Sequence, residues 1–154
     1  QAKEFAKEFN LKNVALFHIG EFYNIPLDDR MVDAVVSFDA LWTVTDKLFA
    51  LREVSRVLKP GGRLVLTHWD NIGQNLAKTA IQANLIPFSC IDSIGWLARQ
   101  QEIYKQIQIH EDEIKHEMGE SAQMLIYEAR TSLPYLSSSV RRVYGFRKPM
   151  TPSI

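Results

Sequence analysis

The chain has 154 residues, 46% of them hydrophobic and 10% aromatic, which is enough for one domain with a sizeable core. Eighteen basic residues balance eighteen acidic ones and lie scattered along the chain, so nothing gathers into a stripe that would grip nucleic acid. The single cysteine, Cys90, excludes an internal disulfide and is expected as a buried thiol, while the lack of a bilayer-length apolar run or a signal-peptide core makes the cytoplasm the expected compartment.

In QAKEFAKEFN, residues Ala2, Phe5, Ala6 and Phe9 recur at i, i+3, i+4 and i+7, so a helix is expected with no cap before it, as in a longer protein whose front precedes this chain. NVALFHIG, residues 13–20, reads as a buried strand in which His18 is a satisfied core residue. VDAVVSF, residues 32–38, has no period-2 polarity, as expected of a parallel strand covered on both faces. Thr45 or Asp46 then caps a helix with one apolar stripe at Leu48, Leu51, Val54, Val57 and Leu58. Pro60 stops that helix. Gly61 and Gly62 are expected to take positive φ and turn the chain into the strand RLVLTHW, residues 63–69.

Residues 75–86 are helical in pattern and 86–94 form a weaker strand candidate. A long helical stretch carries Leu97, Ile103, Tyr104, Ile107, Ile114 and Met118 up to Gly119, and a second runs from about Ser121 to Ser132. VRRVYGF, residues 140–146, is the final strand. The reading is one α/β unit with a helical insertion before its last strand.

Three motifs then point to a family. Gly20-Glu21 with Asn24-Ile25-Pro26-Leu27, then Val32-Asp33-Ala34-Val35, then Glu53 to Gly62 closely resemble the class I S-adenosylmethionine-dependent methyltransferases, in their small-molecule, methyltransferase type 11-like branch. The resemblance is strong over residues 13–67 and weaker in the ending Tyr144-Gly-Phe-Arg-Lys-Pro. It implies a partial doubly wound, Rossmann-like, mostly parallel sheet with S-adenosylmethionine across the carboxyl ends of its strands. Residues 1–154 would be a single domain, the C-terminal portion of the family's domain. The first two strand-helix units, roughly 60 residues or more, are absent, and no G-x-G-x-G occurs in the sequence.

The resemblance also assigns roles. Glu21, which follows Gly20, would accept a hydrogen bond from the adenine amino group, where most relatives carry Asp; a solvated strand-end acid is the alternative. The N–H of Phe22 would donate to the ring, and its side chain either covers adenine or packs in the core. Ser37, Phe38 and Asp39 would meet the cofactor at a strand end, chiefly through backbone. Relatives often have His where Thr43 stands. Trp42 either walls the substrate or simply packs, Trp69 is a candidate substrate wall, and Tyr104 belongs to a helical segment expected either as a lid over an apolar substrate or as ordinary packing. Methyl transfer needs alignment and exclusion of water more than protein chemistry. Where a base is required His68 is the candidate, the alternative being a merely hydrogen-bonded histidine. Glu53 and Arg56 are expected to form a structural charge network, and His110 and His116 have the wrong spacing for a zinc helix.

The expected function is methyl transfer to a small, apolar or amphiphilic acceptor, with no metal, nucleic acid or membrane span and with homo-oligomerisation left open. The alternative is a non-catalytic methyltransferase-like binding or scaffold subunit exposing an apolar sheet edge. A nicotinamide-dependent dehydrogenase is a distant third.

Overall fold

A computed structural model describes residues 2–11, 13, 18–71, 76–93, 95–132 and 139–150. The elements run α1 (Ala2–Glu8), β1 (Val32–Ser37), a 3-10 turn at Leu41–Thr43, α2 (Lys47–Val57), β2 (Leu58–Asn71), α3 (Leu76–Gln82), β3 (Ile86–Asp92), α4 (Trp96–Ile109), α5 (Glu111–Met118), a 3-10 turn at Gly119–Ser121, α6 (Ala122–Thr131) and β4 (Ser139–Arg147). The anticipated strand at 13–20 falls largely outside the described residues, and His18, Ile19 and Gly20 lie in no strand.

Four strands form one sheet in the order β1-β2-β4-β3. Only β1 and β2 pair parallel; β4 runs antiparallel to both β2 and β3. Among the described residues the sheet is therefore mixed rather than mostly parallel. The helical insertion before the last strand is present as α4 to α6, broken at His110 and at Gly119, whose φ is 58°.

Asp46, one of the two anticipated caps, begins α2 by accepting the N–H of Phe49 at 2.9 Å. The apolar face of α2 buries Ala50, Leu51, Val54 and Val57, and the core continues through Leu58, Leu64, Leu66, Leu85, Tyr144 and Phe146. The rings of Tyr144 and Phe146 stack with centroids 5.5 Å apart. Tyr104, Ile107, Ala122, Ile126 and Ala129 make a second, smaller core inside the helical layer.

The Lys59–Gly62 corner departs from expectation in one respect. Gly61 has φ +77°, but Gly62 does not need positive φ. What Gly62 needs is space: a Cβ there would lie 2.8 Å from the Lys59 carbonyl oxygen and 3.2 Å from that of Asp33. Between the paired positions Val32↔Leu58 and Ala34↔Arg63 the longer strand bulges out, so the backbone crowds the glycine. The Lys148 carbonyl accepts the Gly61 N–H at 3.0 Å, and the Lys148 N–H donates to Gly62 at 2.9 Å, stitching the corner to the end of β4.

Cys90 is exposed, not buried, because β3 is an edge strand with one side open; Ile86, Phe88 and Ile91 on it are exposed as well. Gly62→Ala is expected to lower the unfolding free energy by about 1–3 kcal/mol, since backbone oxygens cannot swing away as a side chain would. Urea denaturation of Gly62→Ala beside the exposed Ala34→Gly reads this, and a loss no larger at 62 than at 34 would show that the corner tolerates a Cβ.

Candidate functional site

The loop from Gly20 to Asp29 forms one wall of a groove. Glu21 and Asn24 close a tight turn with the Asn24 N–H donating to the Glu21 carbonyl at 3.1 Å, and Pro26 lies over Gly20, where a Cβ would meet its ring at 2.5 Å. The loop is held from α2. Arg56 donates to the carbonyls of Ile25 and Leu27, each at 2.8–2.9 Å, and to the carboxylates of Glu53 and Asp29 at 2.9 Å. Glu53 also accepts the N–H of Ile25 at 3.2 Å. The Arg56 guanidinium holds the Glu53 carboxyl below its ordinary range, and the two carboxylates raise Arg56 in turn. The anticipated charge network therefore exists, and its task is to fix this loop. Tyr23 adds a second tie, accepting the Asp46 N–H at 2.9 Å and meeting Phe49 edge to face at 5.6 Å.

The groove encloses about 520 Å³ between this loop, the end of β1 and the inner face of α2. Gly20, Glu21, Phe22, Ser37 and Phe38 all line it, so five of the six residues assigned to a cofactor converge. Its walls are mainly apolar, with Val36 58% and Phe38 70% exposed. His18, expected in the core, is exposed and lines the groove instead, since the chain here runs as loop.

Asp39 does not line this groove. At φ 45° it turns away from β1, donates its N–H to Thr67 Oγ1 at 2.7 Å and receives Arg141 at 2.7–3.2 Å. Arg141 also lies 4.2 Å over the Trp96 ring and donates to Ser93 Oγ at 3.4 Å. This clamp joins the tip of β1 to the start of α4. Sequence reasoning missed Arg141; the available signal was a pair of arginines inside an otherwise apolar strand, which must find partners when buried.

His68 is 4% exposed and Asp70 2% exposed, both on the core face of β2. Asp70 accepts Arg142 at 3.0 Å and the hydroxyl of Tyr144, and Arg142 reaches on to Asp92 at 2.8 Å. His68 Nε2 lies 3.9 Å from Asp70, and its Nδ1 has no hydrogen-bond partner among the described residues. Burial lowers the His68 pKa; Asp70 and Asp39 oppose this, while Lys47 reinforces it. Burial thus favours the neutral imidazole, and its Nδ1 keeps a free lone pair or N–H among the described residues. Trp69 is half-buried beside it, on the opposite face of β2. Tyr104 is elsewhere: it is buried in the helical core and donates to Glu128 at 2.6 Å, with burial pushing its hydroxyl up to about 12. Trp42 falls in the 3-10 turn after β1.

Among the described residues no cluster of metal-ligating side chains occurs, and no helix is long and apolar enough to cross a membrane. The groove fits an adenine-bearing group by its own chemistry: a carboxylate acceptor at the rim, backbone at a strand end, and apolar walls for a flat ring.

Residues 1–66 match the family model described as a methyltransferase domain. The ubiquinone/menaquinone biosynthesis C-methyltransferase UbiE of Caulobacter vibrioides is 34% identical over 91 residues, 58% of this chain and 35% of the relative. The demethylmenaquinone methyltransferase of Staphylococcus epidermidis is 46% identical over 59 residues, 38% of this chain and 24% of the relative. The chain thus spans about a third or less of these relatives' lengths. Among solved structures, the [4+2]-cyclase SpnF superposes with TM-score 0.81 at 20% identity, covering 97% of this chain and 62% of that one. The O-methyltransferase of a trans-AT PKS multienzyme of Brevibacillus brevis, in complex with S-adenosyl-L-homocysteine, gives 0.70 at 14% identity, covering 96% and 54%. These two likenesses show the Rossmann-like methyltransferase fold.

The depressed His68 pKa sets a pH dependence of stability. Unfolded, the imidazole titrates near pH ~6.5; folded, it titrates lower, so the fold resists protonation. Its contribution is complete above about pH 6.5 and is lost as pH falls below that value toward the folded pKa. Denaturant midpoints at pH 7.5 and 5.5 are expected to differ less in His68→Gln than in the parent chain; an equal drop would assign the effect to other groups.

Proposed function

We propose that the protein, whose residues 1–66 match a methyltransferase domain model, moves the methyl group of S-adenosylmethionine to a small, apolar or amphiphilic acceptor. One observation carries this reading: Gly20, Glu21, Phe22, Ser37 and Phe38 fall inside the matched segment and meet on one groove. The names of the two relatives extend it to a quinone-type ring, methylated on carbon.

Glu21 accepts the adenine amino group, the Phe22 N–H donates to the ring, and Val36 and Phe38 cover its faces. The sulfonium supplies an electrophilic methyl group, so the protein's work is alignment and exclusion of water. Arg141 holds Asp39 in place at the strand end and, through Trp96, brings the helical layer against the same edge. When a ring carbon gains the methyl group it must lose a proton. Neutral His68, close to Asp70 but not hydrogen-bonded to it, is the group we assign to receive it. Trp69 is the assigned substrate wall; Tyr104 is buried in the helical core instead.

A second reading, a binding subunit without catalysis, is favoured by the exposed Val36 and Phe38 at β1, the outer strand among the described residues. Calorimetry with S-adenosylmethionine, using the longest available form of the protein, separates the two. The methyltransferase reading expects saturable binding, weakened about tenfold in Glu21→Ala and also weakened in Arg56→Ala through the loosened loop. Absence of binding would overturn it in favour of the binding subunit. If binding holds, His68→Gln is expected to lower turnover at least about a hundredfold with cofactor affinity unchanged; unchanged turnover would remove His68 from the proton path.

A further inference from the structure

A second cavity, about 570 Å³, opens at the end of the sheet opposite the groove, where α2 stops, β2 begins and β4 ends. Four basic side chains line it, Arg30, Arg52, Arg56 and Lys148, and among the described residues no carboxylate does. Two of these cations are already committed. Lys148 Nζ donates to the Ser55 and Leu58 carbonyls at 2.6 and 2.7 Å, closing the C-terminus of α2. Arg56 is engaged by Glu53, Asp29 and the loop carbonyls.

Arg30 and Arg52 are different. Both are exposed, and neither side chain is paired with a carboxylate among the described residues. The backbone of Arg30 is fixed at φ 56° by its N–H bond to the Arg56 carbonyl at 2.9 Å, and Met31 is fixed likewise to Val57 at 2.8 Å, so the guanidinium is presented from a rigid strand entry. Where like charges gathered in a concavity are not neutralised, as at Arg30 and Arg52, they raise its potential and attract an anion. Burial first and the nearby Arg30 second hold the Lys148 amine below its ordinary range, against the opposing pull of Asp29.

We propose that this cavity binds the phosphate group of a small soluble molecule, with Arg30 and Arg52 as its two free forks. A guanidinium matches phosphate oxygens two at a time, which an ammonium does not. The volume suits a small ligand rather than a flat polyanion, and Pro60 and Met150 provide an apolar wall for the rest of the molecule. A phosphate on a lipid headgroup has the same chemistry, but a concave site set beside a strand turn favours a freely diffusing ester. The proposal is independent of methyl transfer, since it uses the opposite end of the sheet.

The test is titration of the purified protein with pyrophosphate and with glycerol 3-phosphate at fixed ionic strength, beside flotation with vesicles containing phosphatidic acid. The variants are R30A/R52A, both at exposed positions, and Lys105→Ala on α4 as a control that removes an exposed cation away from the cavity. Saturable binding of a soluble ligand is expected, weakened at least about tenfold in R30A/R52A, unchanged in Lys105→Ala and falling as salt rises. No saturable binding, an equal loss in the control, or binding to vesicles alone would overturn it. A circular dichroism melt that leaves R30A/R52A unchanged excludes unfolding as the cause of any loss.

Discussion

The missing Cβ at residue 62 is the constraint on which the rest of the sheet depends. Only there can the Lys59 and Asp33 carbonyls close in, at 2.8 and 3.2 Å from where a side chain would start. That approach lets α2 pass into β2 without an intervening loop, and the backbone bonds between Lys148 and the two glycines bring β4 to the same point. Four elements are tied in one knot. Beyond it the parallel register runs unbroken from Ala34↔Arg63 to Ser37↔Leu66.

That register decides which face each later residue of β2 takes. Side chains alternate along a strand, so Leu64, Leu66, His68 and Asp70 share the face turned to the core. The first two pair across to Phe146 and Tyr144, and the next to Arg142. The face therefore changes from hydrocarbon to charge within two residues, under cover throughout. A buried carboxylate is costly unless its lone pairs are filled, and Asp70 fills them with Arg142 and Tyr144. His68 is left out of that exchange. An unsatisfied imidazole next to a satisfied carboxylate is an arrangement that stability alone does not favour, which is why it belongs to the proposed chemistry.

Local signals in the chain made much of this legible. The capping Asp46, the stripe of α2, the Pro-Gly-Gly corner and the four described strands follow from propensity and period, which depend on neighbours only a few residues away. Family motifs marked Glu21 and Ser37, and the structure brings them to one groove. Long-range partners were not legible. Asp39 and Arg141 are 102 residues apart, and nothing near either predicts the other. His18 and Cys90 were misread for a related reason: burial is a property of the finished sheet, and an apolar stretch such as NVALFHIG or IPFSCID does not say whether it will lie inside or on an edge. Tyr104 shows the same limit from the other direction, since helical spacing fixed its face but not which core that face would meet.

The two concavities are joined by one piece of backbone. Residues 21–31 run from Glu21 at the groove to Arg30 at the basic cavity, and between them the chain hangs on Arg56 and Glu53. Arg56 itself lines the basic cavity while its bonds fix the loop that forms the groove wall. An anion drawn to Arg30 and Arg52 would also attract Arg56, whose guanidinium is already shared among two carboxylates and two carbonyls. Any loosening of that set slackens the Ile25 and Leu27 carbonyls, and with them the turn that presents Glu21. The two ends of the sheet thus share one loop, held from α2 chiefly by the Arg56 guanidinium, with Glu53 and Tyr23 adding further ties.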